Sequence, residues 1–421
     1  MAHPELGCAF VFFWYTLSMK RILIFSLDYY PGEVGGAEVA VKEITDRIPS
    51  EEIEFHLVTL HYDKSMAKTE QLGNVLVHRI GFGWKNPTIA DRRKFPLHLN
   101  KHLFQFTAAF KALGLHRKYK YDGIWAMMAH SCGVPAAIFK FFHPKVKFVL
   151  TLQEGDPPEY IERKARPVWL LFKRAFTTSD TVQVISTFLG KWAKRMGYEG
   201  EPVLVPNAVN IKHFSQEFSE SELHEAKIDL GKKPGEVFVV TTSRLVTKNG
   251  IDDVVKAMAL LPNNVHFIIY GGGPDKDMLE SLAKELKVDD RVHFKGLIGH
   301  DVMPLYLKAC DIFTRPSRSE GMGNSFVEAM AARLPVVATQ EGGLADFLFD
   351  DKRNPDKKPT GWAVDKDSPE QIATVVKDII DNPNKVGEIT DTAYNLAIAK
   401  YDWDLIATNM REKVFKPLWK D

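Results

Sequence analysis

Ser317-Arg318-Ser319-Glu320-Gly321-Met322-Gly323-Asn324-Ser325-Phe326-Val327-Glu328-Ala329-Met330-Ala331-Ala332 joins a strand to a helix. Upstream, Asp311-Ile312-Phe313-Thr314 is short, apolar and ended by Pro316, and from Ser325 onward helix formers take over. The glycine-bearing turn between them puts Glu320 in a loop and Glu328 in the first turn of the helix, whose free N–H groups and positive dipole end attract an anion. Two carboxylates beside an anion site suit a sugar nucleotide, which needs donors for its diphosphate and acceptors for its sugar and ribose hydroxyls. The same spacing also fits a capping box, Ser325-x-x-Glu328, with Glu320 an ordinary loop acid.

Outward from this stretch the chain alternates strand and helix. Pro335–Thr339 reads as the next strand; before it come strands at Val237–Thr242, Val265–Tyr270 and Arg291–Phe294, with helices at Ile251–Leu261, about Asp275–Lys287 and near Val302–Ala309. Arg244 and Lys248 come just after the first of these strands, where a guanidinium fork and a point charge can neutralise a diphosphate. A glycine run, Gly271-Gly272-Gly273, comes after the second. The earlier half repeats the plan, with strands at Arg21–Leu27, Glu54–Thr59, Val75–Arg79, Gly123–Ala126, Lys147–Leu152, Thr181–Ile185 and Pro202–Val205. Gly35 and Gly36 precede a helix over Ala37–Ile48 and permit close approach of a ligand to the backbone. His130 and Glu154 lie just past strand ends, and Ser186 reads as a helix N-cap. Such alternation predicts parallel, doubly wound sheets that bind ligands at the carboxyl ends of their strands.

With 421 residues the chain exceeds one comfortable core. The reading is two Rossmann-like α/β domains, 19–210 and 211–400, facing across a cleft. A last helix over 401–421 crosses back to the first domain, and residues 1–18 form an N-terminal extension. At 45% apolar residues and a formal charge of +1, there is no basic field to favour nucleic acid. The cysteines Cys8, Cys132 and Cys310 lack metal or disulfide spacing, which fits a reducing cytoplasm. Cys8–Leu17 is apolar but too short to span a bilayer and lacks a basic leader. Arg163–Arg174 and Arg92-Arg93-Lys94 mix cations with aromatics; the preferred reading is helices with one core and one solvated face, and peripheral contact with the inner face of the membrane is the alternative. His98 and His102 stand one helical turn apart without a third ligand, and Asp275-Lys276-Asp277, Asp365-Lys366-Asp367 and Asp402-Trp403-Asp404 read as helix starts, so no metal site is assigned.

Glu320-x7-Glu328, with Ala329-Met330-Ala331 and an apolar strand after it, resembles the signature of the retaining family-four glycosyltransferases of the GT-B fold. The resemblance runs from Met19 to Asp421 and is most specific from Arg244 to Gly343. It implies that Arg244 and Lys248 hold the donor diphosphate and that Gly35-Gly36 faces it. The stretch Gly321, Met322, Gly323, Asn324, Ser325 and Phe326 lies against the donor, and the turn at Leu297 meets the base. By the same resemblance Glu320 holds sugar hydroxyls, Glu328 the ribose, and His130 the sugar from the opposite domain. The chain departs from the pattern at Gln153-Glu154, where many relatives carry a histidine.

The resemblance implies transfer of a hexosyl group from a UDP- or GDP-sugar to a glycan, lipid-linked or small-molecule acceptor, with retention of configuration, as in polysaccharide or cell-envelope synthesis. No cofactor is implied. Electrostatic stabilisation of the departing diphosphate by Arg244, Lys248 and the N–H groups around Asn324, Ser325 and Phe326 is the main source of rate. The alternatives are a nucleotide-sugar epimerase of the same architecture and a non-catalytic nucleotide-sugar-binding protein.

Overall fold

Short runs of Val, Ile, Leu and Phe that are apolar on both faces need helices on both sides of the sheet they form, and this chain meets that need twice. The computed structural model describes residues 19–32, 35–88 and 90–419, so the expected 1–18 extension lies outside the described residues. The first sheet comprises β1 (Lys20–Phe25), β2 (Ile53–Leu60), β3 (Thr69–Leu72), β4 (Val75–Ile80), β5 (Gly123–Met127), β6 (Lys147–Leu152), β7 (Thr181–Val184) and β8 (Val203–Leu204), in the order β3-β4-β2-β1-β5-β6-β7-β8. The second comprises β9 (Val237–Thr242), β10 (Val265–Tyr270), β11 (Val292–Gly296), β12 (Ile312–Arg315), β13 (Val336–Ala338) and β14 (Trp362–Ala363), in the order β11-β10-β9-β12-β13-β14.

Strand order reverses between β1 and β5 in one sheet and between β9 and β12 in the other, and there the crossovers leave to opposite faces and open a crevice at the carboxyl ends. The loops beside the two reversals carry Gly35 and Gly36, His130, Arg244 and Lys248, and Glu320. Topology alone thus gathers the candidate residues from positions far apart in sequence.

Several boundaries differ from expectation. β3, which the apolar pattern does not mark, pairs antiparallel with β4 at the sheet edge; an edge strand needs only one apolar neighbour, and Thr69-Glu70-Gln71-Leu72 is partly exposed throughout. The polar run from Ser215 includes the helix Glu220–Leu230, capped by Ser219 Oγ and Glu222, and Pro383–Lys400 is an additional helix. The helix of the central stretch begins at Asn324, so Glu328 stands in its second turn rather than its first.

One face of the first sheet is covered by helices that include Leu99–Tyr119, Val134–Phe142 and Trp169–Thr177. On the other face lie Gly36–Asp46 and the chain's end, where Trp403–Asn409 runs on through Met410–Phe415 to Trp419. Phe415 is fully buried, with ring centroids 6.0 Å from Phe55 and 5.2 Å from Trp125, and Arg47 Nε donates to Asp404 at 2.6 Å. The return helix is thereby part of the first domain's core. Phe415→Ala is expected to cost about 3–5 kcal/mol, read as a lowered denaturation midpoint of the first domain, through the cavity left between Phe55 and Trp125.

Candidate active site

The helix Asn324–Ala331 starts after Gly323, whose φ of +87° turns the chain sharply, and no side chain caps it. Ser325 Oγ is buried without a hydrogen-bond partner, and Glu328 Oε1 lies 3.3 Å from His300 Nε2 instead of returning to the helix start. The capping box therefore does not form. Phe326 N–H donates to Gly323 O at 3.2 Å, so of the three amides expected to face an anion this one is engaged. The N–H groups of Asn324 and Ser325 have no acceptor among the described residues.

Glu320 is held by a partner that the sequence pattern did not single out. Arg315, the last residue of β12, donates from Nη2 to Glu320 Oε2 at 2.8 Å while its guanidinium lies over the Phe326 ring at 4.3 Å. Burial pushes the Arg315 guanidinium below its ordinary value, opposed by Glu320 and Glu328. The available signal was a cation at the end of a buried strand, five residues before a motif carboxylate. The loop is also pinned by backbone packing. Gly343 N–H donates to Glu320 O at 3.0 Å, and a Cβ on Gly342 (φ +62°) would stand 2.0 Å from that carbonyl. The run at Gly271 serves the Arg244 loop similarly, since a Cβ on Gly271 would lie 1.7 Å from Ser243 O.

Across the cleft, Lys248 Nζ donates to Gly155 O at 2.7 Å and pairs with Asp156 at 3.4 Å, and Ser319 Oγ donates to the same carbonyl at 3.2 Å. Lys248 Nζ and Glu320 Oε1 both approach within 3.6 Å of where a Cβ on Gly155 would be. Opposite the helix start, a Cβ on Gly36 would lie 3.8 Å from Asn324 Nδ2. Gly35 N–H donates to Glu38 Oε2 at 2.7 Å, so this amide is occupied. Thr187 N–H donates to Asp346 Oδ2 at 2.7 Å, a further contact between the two halves of the chain. Gly36 thus faces Asn324, and Gly155 faces Lys248, Glu320 and Gly321. Arg244 is exposed with no side-chain partner among the described residues, Leu297 is 86% exposed, and Met322 is buried.

His130 sits in the wide turn Ala129–Gly133 that comes after β5. Gln105 Nε2 donates to its carbonyl at 2.9 Å, and burial, with Lys164 nearby, pushes its imidazole below the ordinary value and so favours the neutral form. Ala129 N–H donates to Glu154 Oε1 at 2.6 Å. The Glu154 carbonyl in turn meets Gly321, where a Cβ would stand 2.5 Å away. Glu154 therefore links the histidine turn to the motif loop. Its carboxyl is buried, Oε2 has no partner among the described residues, and burial raises its pKa to about 7 against the opposing Ala129 hydrogen bond.

The two halves of the chain match two family descriptions, Glycosyltransferase Family 4 over residues 34–213 and Glycosyl transferases group 1 over residues 224–396. The chain belongs to the group 1 glycosyltransferases of family 4. It is 26% identical over 253 residues to a GDP-mannose-dependent alpha-(1-6)-phosphatidylinositol monomannoside mannosyltransferase of Mycobacterium tuberculosis, covering 58% of this chain and 63% of that protein, less than two thirds of its length. It is 25% identical to the alpha-monoglucosyldiacylglycerol synthase of Streptococcus pneumoniae, covering 78% of this chain and 73% of that one. Its fold is similar to that of sucrose-phosphate synthase from Thermosynechococcus elongatus, with a TM-score of 0.77 at 21% identity over 95% of this chain and 99% of the other. The arrangement is GT-B, two parallel-sheet domains with a C-terminal helix returning to the first.

In this family member Glu154 makes stability depend on pH in a definite direction. The unfolded carboxyl ionises near its ordinary 4.5 and the folded one near about 7, so the group's contribution is full below the first value and is lost as pH rises to the second. Denaturation midpoints measured across that interval should fall by roughly 3 kcal/mol in free energy for the parent relative to Glu154→Gln, which keeps an acceptor for Ala129 N–H but cannot ionise.

Proposed function

We propose that the chain transfers a hexosyl group from a UDP- or GDP-sugar to a hydroxyl of a glycan or lipid-linked acceptor, with retention and without a metal ion. The reading is supported by two unsatisfied amides (Asn324 and Ser325) and an orphaned buried hydroxyl (Ser325) at a helix start that faces Gly36, and by the Lys248 ammonium and Glu320, the latter on the loop before that helix, both lying against Gly155. Such donors grip a diphosphate and are worth most as it departs with the negative charge of the broken glycosidic bond. Arg244, exposed and uncommitted, closes over the same phosphates, and Lys248 exchanges Gly155 O for a phosphate oxygen when donor enters. Glu320, fixed through Oε2 by Arg315, offers Oε1 to the sugar hydroxyls; Glu328 takes the ribose, Leu297 and its neighbours the base, and neutral His130 the sugar from the first domain. The acceptor binds against residues 19–210, the donor against 211–400, and 401–421 belongs to the acceptor side.

A helix-bearing cleft that closes on the donor also excludes water, which limits hydrolysis. No helix among the described residues is long and apolar enough to cross a membrane. The acceptor class is drawn from the relatives: the mycobacterial protein is named as a phosphatidylinositol monomannoside mannosyltransferase and the streptococcal one as a monoglucosyldiacylglycerol synthase, both names of glycolipids, and the chain acts at the cytoplasmic face of the membrane in this reading.

Melting temperatures with UDP, GDP and their hexose conjugates test the donor site, because a ligand of the folded form raises the midpoint by mass action. Glu328→Ala and Lys248→Ala should each weaken nucleotide binding by about 10- to 100-fold, the loss of one charge-assisted contact; parent-like binding in both would remove the site. Product analysis without acceptor separates this reading from an epimerase, which alone would convert the sugar in place. His300 carries a pH prediction of its own. Its hydrogen bond to Glu328 raises its pKa, so the imidazolium is populated as pH falls, when it both fixes Glu328 and attracts the diphosphate. Nucleotide affinity should therefore tighten below neutrality in the parent and lose that slope in His300→Ala.

A further inference from the structure

Arg318 stands two residues before Glu320, in the loop from β12 to the Asn324 helix, and all of its side-chain donors are used. Nη1 and Nη2 grip Asp252 as a fork at 2.8 and 3.0 Å, Nη2 also reaches Asp253 at 2.8 Å, and Nε reaches Asp367 at 2.6 Å. Asp252 and Asp253 open the helix Ile251–Met258, and Asp253 is buried. The remaining bond is of another kind. Nη1 also donates to the carbonyl of Thr247 at 2.5 Å, while the Arg318 backbone N–H donates to the carbonyl of Lys248 at 2.7 Å. One residue thus holds two successive carbonyls of the turn Thr247–Asn249, which carries Lys248.

An arginine with no donor left does not bind a diphosphate itself, so its place in the motif loop needs another use. Lys248 ends in a point charge on a flexible stem, and where that charge stands depends on how firmly its backbone is held. The turn has the motif loop on one side: a Cβ on Gly250 (φ +68°) would lie 2.2 Å from Pro316 O. On the other side the buried Asn249 amide donates to Ser243 Oγ at 2.9 Å and to Arg244 O at 2.7 Å. We propose that Arg318 is a positioning residue for the diphosphate site. Its fork, fixed by Asp252 and Asp253, clamps the Lys248 turn to the Glu320 loop, so that the cation for the phosphates and the carboxylate for the sugar keep one spacing. The acid pair needs neutralising for a second reason, since two carboxylates at this helix start would repel an anionic ligand. Arg318 supplies that charge together with Lys256, whose Nζ lies 2.9 Å from Asp252 and 3.3 Å from Asp253.

The inference rests on the donor-binding reading of Lys248, and a double-variant cycle keeps the two apart. UDP and GDP are titrated calorimetrically into the full chain as parent, Arg318→Ala, Arg318→Lys, Lys248→Ala and each Arg318 variant combined with Lys248→Ala. Arg318→Ala leaves the buried Asp253 without its guanidinium and should lower the melting temperature without ligand. Arg318→Lys keeps a positive charge against the acids but has no fork to hold Thr247 O and both carboxylates at once, and it carries the test if the alanine variant does not fold. Each Arg318 substitution should weaken nucleotide binding about tenfold in the parent background, through a misplaced charge-assisted contact. In the Lys248→Ala background, where no ammonium remains to be placed, the same substitutions should change affinity less than about twofold. Phe415→Ala, which lowers stability in the first domain, should bind like the parent and so separate lost stability from lost positioning. Equal losses in both backgrounds, or parent-like binding by the Arg318 variants, would overturn the positioning role. A parent that binds neither nucleotide would remove the donor site itself and the role with it.

Discussion

A buried guanidinium must leave its charge against a carboxylate, and Arg315 meets that demand on Glu320. The pair is made at the end of a core strand, with the Phe326 ring beneath the guanidinium, so Glu320 cannot swing away without uncovering a charge in the protein interior. The loop from Pro316 to Gly323 takes its course from this pair. Its backbone is then tight enough for Gly342 and Gly343 to pack on it from one side and Glu154 from the other, contacts that admit no side chain. The Asn324 helix, with its unsatisfied amides, is aimed by the same constraint.

The two domains meet at that loop. Lys248 and Ser319 reach the carbonyl of Gly155, Gly321 lies on the carbonyl of Glu154, and Asn324 faces Gly36. Most of these contacts run through backbone atoms and glycines, and the members that carry charge, Lys248 with Asp156 and Asp346 under Thr187 N–H, are partly solvated. Glu154 is the exception. Its buried carboxyl holds the histidine turn through Ala129 N–H, its backbone carbonyl meets the motif loop at Gly321, and burial raises its pKa.

Much of the frame was legible in the sequence because it depends on local patterns. Apolar runs the length of strands, glycines where the backbone turns sharply, and helix formers after them specify alternating α/β units, and Val265–Tyr270 begins and ends where its apolar run places it. Less legible were features whose causes lie in other parts of the chain. β3 forms only because β4 offers it an edge, the Ser325 capping box is displaced by the His300 contact of Glu328, and Phe326 N–H turns to Gly323 rather than outward. The apolar outer stripe of Leu99–Tyr119 was hidden too, because apolar and cationic side chains alternate around this helix and leave little periodic contrast by which one face can be assigned to the core.

By itself the sequence determined that the chain would fold as two doubly wound α/β units with an acidic, glycine-bearing turn at a strand end, since periodicity and turn chemistry act over a few residues. Only the tertiary structure decided which groups share a site. Arg315 becomes the partner of Glu320, Lys248 the neighbour of Gly155, and His300 the neighbour of Glu328 because strand order reverses at β1/β5 and β9/β12, and a reversal of strand order is a property of the assembled sheet that no local run of residues contains.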